Sequence, residues 1–210
     1  RTARRLDVDV LETLVTAPGR QVDDAHPLLR ALERATGSPP VVISAGEEAR
    51  LAFAGAVAAA AALPDVIAVC DVGGGSTEIA IGAPLRGPAW VRSLDLGSLR
   101  LTAPLLGDDP PAGENVQAAR EAVRRDLAPL SPPPTDAALA VGGSARAVAR
   151  IVGRTYGPDE LERVVRIASA AGSAELAKEY GLEPGRARTL LAGALVLAEL
   201  SRTLRSPLTV

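Results

Sequence analysis

Residues 66–81 read Val-Ile-Ala-Val-Cys-Asp-Val-Gly-Gly-Gly-Ser-Thr-Glu-Ile-Ala-Ile. Two short apolar runs rich in β-branched residues flank a glycine triplet, so the stretch predicts two strands, Val66 to Asp71 and Thr77 to Ile81, joined by a loop. Glycines lack Cβ, and Gly73, Gly74 and Gly75 can therefore turn several backbone N–H groups toward one point, which makes a concave anion site. Ser76 and Thr77 would add hydroxyl donors there. Asp71, at the end of a buried strand, is itself an anion and suits a Mg²⁺ ion, held directly or through water, because that hard cation prefers oxygen ligands. Glu78 can act in the same way from the far side of the turn. A plain hairpin is the competing reading, but it needs fewer glycines and no acid on either flank.

Outward from this hairpin the chain alternates between strand and helix signals. Upstream, Val8 to Val15 predicts a strand ending at Pro18-Gly19. A helix follows, capped by Asp23 or Asp24, with Leu28, Leu29 and Leu32 on its apolar face and an end near Gly37. Val41-Val42-Ile43 predicts a short buried strand. Glu47 and Glu48 then open a helix that runs to about Leu63, where acidic residues favour the N-terminus. Downstream, Trp90 to Leu96 predicts a third strand and Glu114 to Leu127 a charged helix. Ala137 to Val141 predicts a strand stopped by Gly142-Gly143, with a helix over Ala145 to Val152. Three more helices are expected around Leu161 to Ala170, Ala174 to Tyr180 and Arg186 to Leu204, before a strand begins at Pro207. Strands first and helices later indicate an α/β fold with a mixed sheet flanked by helices.

Composition narrows the function. The 210 residues are 47% apolar, enough for a real core, and no apolar run approaches the ~20 residues of a membrane span. A net charge of −2 and an aromatic content of 2% argue against nucleic-acid binding. One cysteine, Cys70, allows no disulfide within the chain, which suits a reducing, cytoplasmic setting. Flanked by apolar residues and without a histidine partner, it reads as core rather than nucleophile. His26 is the single histidine, so a histidine-based metal site is not expected.

The segment Asp71 to Glu78 resembles the second phosphate loop of the exopolyphosphatase and guanosine pentaphosphate phosphatase (Ppx/GppA) family, whose fold is the actin-like ATPase, or ribonuclease H-like, fold. Three further segments match in order: Val42 to Leu51 (Val-Ile-Ser-Ala-Gly-Glu-Glu-Ala-Arg-Leu), Ser93 to Thr102 (Ser-Leu-Asp-Leu-Gly-Ser-Leu-Arg-Leu-Thr) and Ala140 to Ala145 (Ala-Val-Gly-Gly-Ser-Ala). The resemblance implies a hydrolase that releases terminal orthophosphate from inorganic polyphosphate or guanosine pentaphosphate, in a cleft between two actin-like domains. Residues 1–52 would be the remainder of the first domain and residues 53–210 the second.

By the same resemblance Glu48 is the general base that activates water, since a carboxylate can accept the proton as the water attacks phosphorus in line. Glu47 is its less favoured neighbour, and the competing reading is that both merely favour the helix N-terminus. Arg20 aligns with an arginine that faces the phosphate site, where a guanidinium can grip phosphate oxygens in pairs. Gly142, Gly143 and Ser144 are expected to bind another phosphate at a helix start. Arg100 is open between an anionic substrate and a salt bridge. The family's first phosphate loop, of the Asp-x-Gly-Ser-x-Ser kind, has no match in this sequence, so a stretch before Arg1 is expected to carry it. Asp24 stands where the family has asparagine, and Pro18-Gly19 replaces bulkier residues. Two rival functions remain open: an ATP-binding kinase or ATPase of the same fold, and a phosphate-binding module without turnover. The apolar C-terminal helix makes a homodimer conceivable.

Overall fold

The computed structural model describes residues 8–210, and the described chain divides into two compact units between Glu48 and Ala49. The first unit carries a minimal parallel pair, β1 (Leu14–Val15) with β2 (Val41–Val42), and the helices α1 (Ala17–Arg20) and α2 (His26–Thr36). Most of the expected Val8 to Val15 strand is irregular, because among the described residues two residues of β2 are the only ladder offered to it. Both β2 residues are exposed in the described chain, against the buried strand expected there. Helix α2 ends as expected at Gly37, whose φ of 85° is the left-handed cap that glycine adopts without penalty. At its start Asp24 Oδ1 accepts the backbone N–H of His26 at 2.9 Å.

The second unit is built on a six-stranded mixed sheet. Helix α3 (Ala45–Ala59) leads into it across the division between the units. Strands β3 (Ile67–Val72), β4 (Thr77–Ala83) and β5 (Gly87–Leu94) form an antiparallel meander. Strand β6 (Ala137–Val141) lies parallel to β3 on its other side. Beyond it come β8 (Leu208–Thr209) and β7 (Thr155–Tyr156), giving the order β5-β4-β3-β6-β8-β7. Strand β3 is central, and apolar residues alternate to both of its faces. Ile67 and Val69 pack with Ala80, Ala49 and Phe53 beneath α3. Ala68, Cys70 and Val72 face the larger core.

That larger core is roofed by helices. After the short α4 (Ser98–Leu101), a single π turn at Thr102–Leu106 and α5 (Gly113–Leu127), the chain makes β6 and passes directly into α6 (Gly142–Val152). Helices α7 (Pro158–Ala170), α8 (Ser173–Tyr180), α9 (Pro184–Arg188) and α10 (Leu190–Leu204) follow. The helix expected over Arg186 to Leu204 is thus two, broken at Thr189. Helix α10 is buried along almost its whole length between α5, α6 and α7, which explains why leucine and alanine surround it on all sides.

Candidate active site

Two neighbouring glutamates at the start of α3 do different work. Ser44 and Glu47 form a reciprocal cap: Ser44 N–H donates to Glu47 Oε2 at 2.8 Å, and Glu47 N–H donates to Ser44 Oγ at 3.2 Å. This is the Ser-x-x-Glu box that satisfies donors at a helix start. Glu48 is turned elsewhere. Arg20, at the end of α1, donates from Nη2 to Glu48 Oε2 at 2.7 Å and from Nη1 to the Ile43 carbonyl at 2.9 Å. The fold therefore brings together the two residues expected to be catalytic, 28 positions apart, on side chains about one-fifth exposed. Gly19, next to Arg20, packs closely on the β1–β2 pair, where a Cβ would lie 2.7 Å from Val15 Cγ1 and close to Val42.

In the second unit the glycine triplet forms the β3–β4 turn. Gly73 N–H donates to the Ser76 carbonyl at 3.0 Å, closing it. The carbonyls of Gly73 and Gly74 accept N–H groups from the start of α4, Ser98 at 2.9 Å and Leu99 at 2.9 Å respectively. In a trans peptide the C=O and the following N–H point in opposite directions, so the amides of Gly74 and Gly75 face away from α4. That is the polarity an anion needs. Gly97 is what lets α4 come so near, since a Cβ there would be 2.3 Å from the Gly74 oxygen. The hydroxyls behave differently from expectation: Thr77 Oγ1 donates to the Leu96 carbonyl at 2.5 Å and braces the turn from behind. Ser76 is buried beside it.

Asp71 and Glu78 are directly opposed in the antiparallel register, and so project from the same face of the sheet. Glu78 is buried, with Ser93 Oγ donating to its Oε1 at 2.9 Å. Asp71 Oδ1 lies 2.5 Å from where a Cβ of Gly142 would be, and Gly142 also has φ of +86°. Glycine at that turn is thus required twice, for the backbone and for the carboxylate beside it. Asp71 and Glu78 are oxygen donors of the kind a hard cation such as Mg²⁺ takes. No group of three or more acidic, histidine or cysteine side chains placed to hold a metal occurs among the described residues.

The Gly142-Gly143-Ser144 turn follows β6 and forms the first residues of α6. Ser144 is buried, and its Oγ has no hydrogen-bond partner among the described residues. It rests against Gly193 of α10, whose Cβ, if present, would lie 3.0 Å from Oγ. The side chain therefore faces the core, and what this turn offers an anion is backbone. Arg100 lies near Asp95, with Nη1 donating to its carbonyl at 3.2 Å, which supports the salt-bridge alternative over the substrate one. Cys70 is fully buried, and burial pushes its thiol up to about 12, as a core cysteine requires.

The family model for the Ppx/GppA phosphatase family matches residues 3–208. The chain belongs to that family. Exopolyphosphatase 2 of Mycobacterium tuberculosis is 36% identical over 186 residues, covering 80% of this chain and 57% of the relative. The chain thus spans a little over half the length of that curated relative. The crystal structure of the Aquifex aeolicus Ppx/GppA family member superposes with a TM-score of 0.79 at 22% identity, over 99% of this chain and 72% of that one. An exopolyphosphatase from Cytophaga hutchinsonii gives 0.84 at 18% identity, again over 99% and 72%. These likenesses establish the mixed sheet flanked by helices as the actin-like fold of Ppx/GppA proteins.

One cluster near the turn left only part of its signal in the sequence. Arg146 and Arg150 stand one helical turn apart on α6, and Arg186 of α9 lies against Gly143. The spacing of the first two was legible in the sequence. Their meeting with Arg186 was not, because α9 is remote in the chain and reaches α6 only through the tertiary fold.

Proposed function

We propose that this Ppx/GppA protein releases terminal orthophosphate from inorganic polyphosphate or a polyphosphorylated guanosine nucleotide by direct attack of water. The observation that carries the reading is the division of labour at α3: Glu47 is consumed by the helix cap, while Glu48 is held by Arg20. A carboxylate fixed in this way has the orientation a general base needs. The names of the relatives support a phosphoanhydride as substrate.

In this mechanism the amides of Gly74 and Gly75 and the turn at Gly142 and Gly143 hold phosphate oxygens. A water oxygen attacks the terminal phosphorus, and Glu48 takes one of its protons. The bridging P–O bond breaks on the far side, freeing orthophosphate from a chain one unit shorter. No phosphoenzyme forms. Arg20 orients Glu48 and carries positive charge to the reacting phosphoryl group, where charge spreads over the equatorial oxygens. Asp71 and Glu78 would hold Mg²⁺, whose chemistry is to neutralise charge on phosphate oxygens.

The test is orthophosphate release from long-chain polyphosphate in the presence of Mg²⁺. Glu48→Gln is expected to lower kcat by about 10²–10⁴, the usual worth of a positioned base, with KM little changed. A Glu48→Gln protein within twofold of the parent rate would remove Glu48 from the role. Glu47→Gln is the control, and is expected to lower stability rather than kcat.

A further inference from the structure

A cavity of about 320 Å³ opens beside the Gly142–Ser144 turn, and three guanidinium groups line it: Arg146, Arg150 and Arg186. The Arg186 guanidinium lies flat on Gly143, with Nη2 only 2.3 Å and Cζ 2.4 Å from the position a Cβ would take. Nη1 of Arg150 reaches to 3.8 Å from the corresponding point on Gly181. None of the three guanidiniums forms an ion pair or hydrogen bond among the described residues. Glu183 is the one carboxylate in the lining, and it pairs with none of them. Like charges four residues apart on a helix repel and weaken it. Here Arg146 and Arg150 stand so on α6, with Arg186 brought up as a third. An excess of fixed positive charge around a concave space fits a polyanion that arrives from outside.

We propose that this pocket is a second phosphate subsite, in which Arg146, Arg150 and Arg186 hold internal phosphates of a linear polyphosphate whose terminal unit is at the reacting site. The inference rests on the proposed phosphate-binding role of the Gly142–Gly143 turn, since Gly143 belongs to both places and would lead the chain from one into the other. The chemistry of the lining selects a linear chain over a nucleoside. Guanidiniums read phosphate oxygens in pairs, no aromatic ring lines the cavity for a base to stack on, and a chain of singly charged phosphates matches three separate cations.

The test is calorimetric binding of long-chain polyphosphate, tripolyphosphate and guanosine triphosphate to the parent protein and to Arg146→Ala/Arg150→Ala. Both arginines are exposed on the helix, and an unchanged melting temperature confirms that the double variant is folded. Long-chain affinity is expected to fall about tenfold or more, the worth of one or two charge-assisted contacts, while tripolyphosphate binding stays within twofold. Unchanged long-chain affinity, or equal loss for the long and short chains, would overturn the subsite and leave the hydrolase reading standing. An equally steep loss for guanosine triphosphate would assign the pocket to nucleotides and overturn the linear-chain claim. A parent protein that binds neither polyphosphate would sink both the subsite and the phosphate-binding reading beneath it.

Discussion

The second unit holds two clusters of arginine, and they are built on opposite principles. In the first, Arg120 and Arg124 of α5 and Arg202 of α10 surround Glu199 of α10 and Glu162 of α7. Arg120 meets Glu162 with two parallel bonds of 2.6 and 2.8 Å. Glu199 Oε1 accepts from Arg202 at 2.7 Å, Arg124 at 3.2 Å and Arg120 at 3.4 Å. Every guanidinium in that cluster has a carboxylate, and the network ties three helices together. In the second cluster, Arg146, Arg150 and Arg186 have none among the described residues. The residue type is the same, and the amphipathic helices are similar. The difference teaches that arginine in this protein is structural where the fold supplies its counter-charge, and available for an external anion where the fold withholds it.

The paired cluster is most vulnerable at Glu199, whose side chain is only 8% exposed. Glu199→Ala leaves three guanidiniums crowded in a partly dry site, and is expected to lower unfolding free energy by about 3 kcal/mol in urea titrations. A loss below about 1 kcal/mol would mean that the paired cluster contributes no more than surface ion pairs do.

Acid provides the second handle. Burial alone would raise the Glu162 carboxyl, but hydrogen bonds from Arg120 and Arg202 outweigh it and hold the group below its ordinary value of 4.5. A depressed folded-state value means that the unfolded chain binds protons first as the solution is acidified. The stabilisation from Glu162 is therefore complete well above pH 4.5 and drains away as pH falls through the folded-state value. Stability measured downward from pH 6 should decline on that limb, and Glu162→Gln should flatten it. A variant whose acid limb matches the parent's would assign the decline to other carboxylates.

Gly143→Ala gives the smallest stability effect and sharpens the contrast from the other side. The new methyl would enter the Arg186 guanidinium, which is the far end of a flexible chain and can swing away. Alanine is also a better helix former than glycine, by about 0.5–1 kcal/mol. Stability should therefore change by less than about 1 kcal/mol, while long-chain polyphosphate binding weakens severalfold. Unaltered binding would show that Arg186 does not need its seat on Gly143.

Much of the second unit was legible from local pattern. The β3–β4 hairpin, the charged helix α5 and strand β6 lie within a residue or two of where periodicity places them, because their apolar runs are bounded by glycine or proline. Strand β7, Thr155–Tyr156, left no such signal, since two residues show no alternation and are ordered by pairing with β8. The choice between Glu47 and Glu48 was likewise open in one dimension. A capping box was written in Ser44 and Glu47, but Glu48's partner was not, because Arg20 is brought to it by the β1–β2 pair and the turn at Gly19.

The strand-turn-strand at residues 66–81 and the glycine turns were legible in one dimension, since they follow from steric freedom and hydrophobic period within a few residues, and so were the positions of the charged side chains. Tertiary structure alone decided what those groups face. Thr77 and Ser144 turn inward, Glu48 meets Arg20, and two sets of three arginines acquire opposite surroundings. The physical reason is range. Backbone preference acts over a few bonds, whereas the partner of a charge or a hydroxyl is set by whichever distant segment the packed core brings beside it.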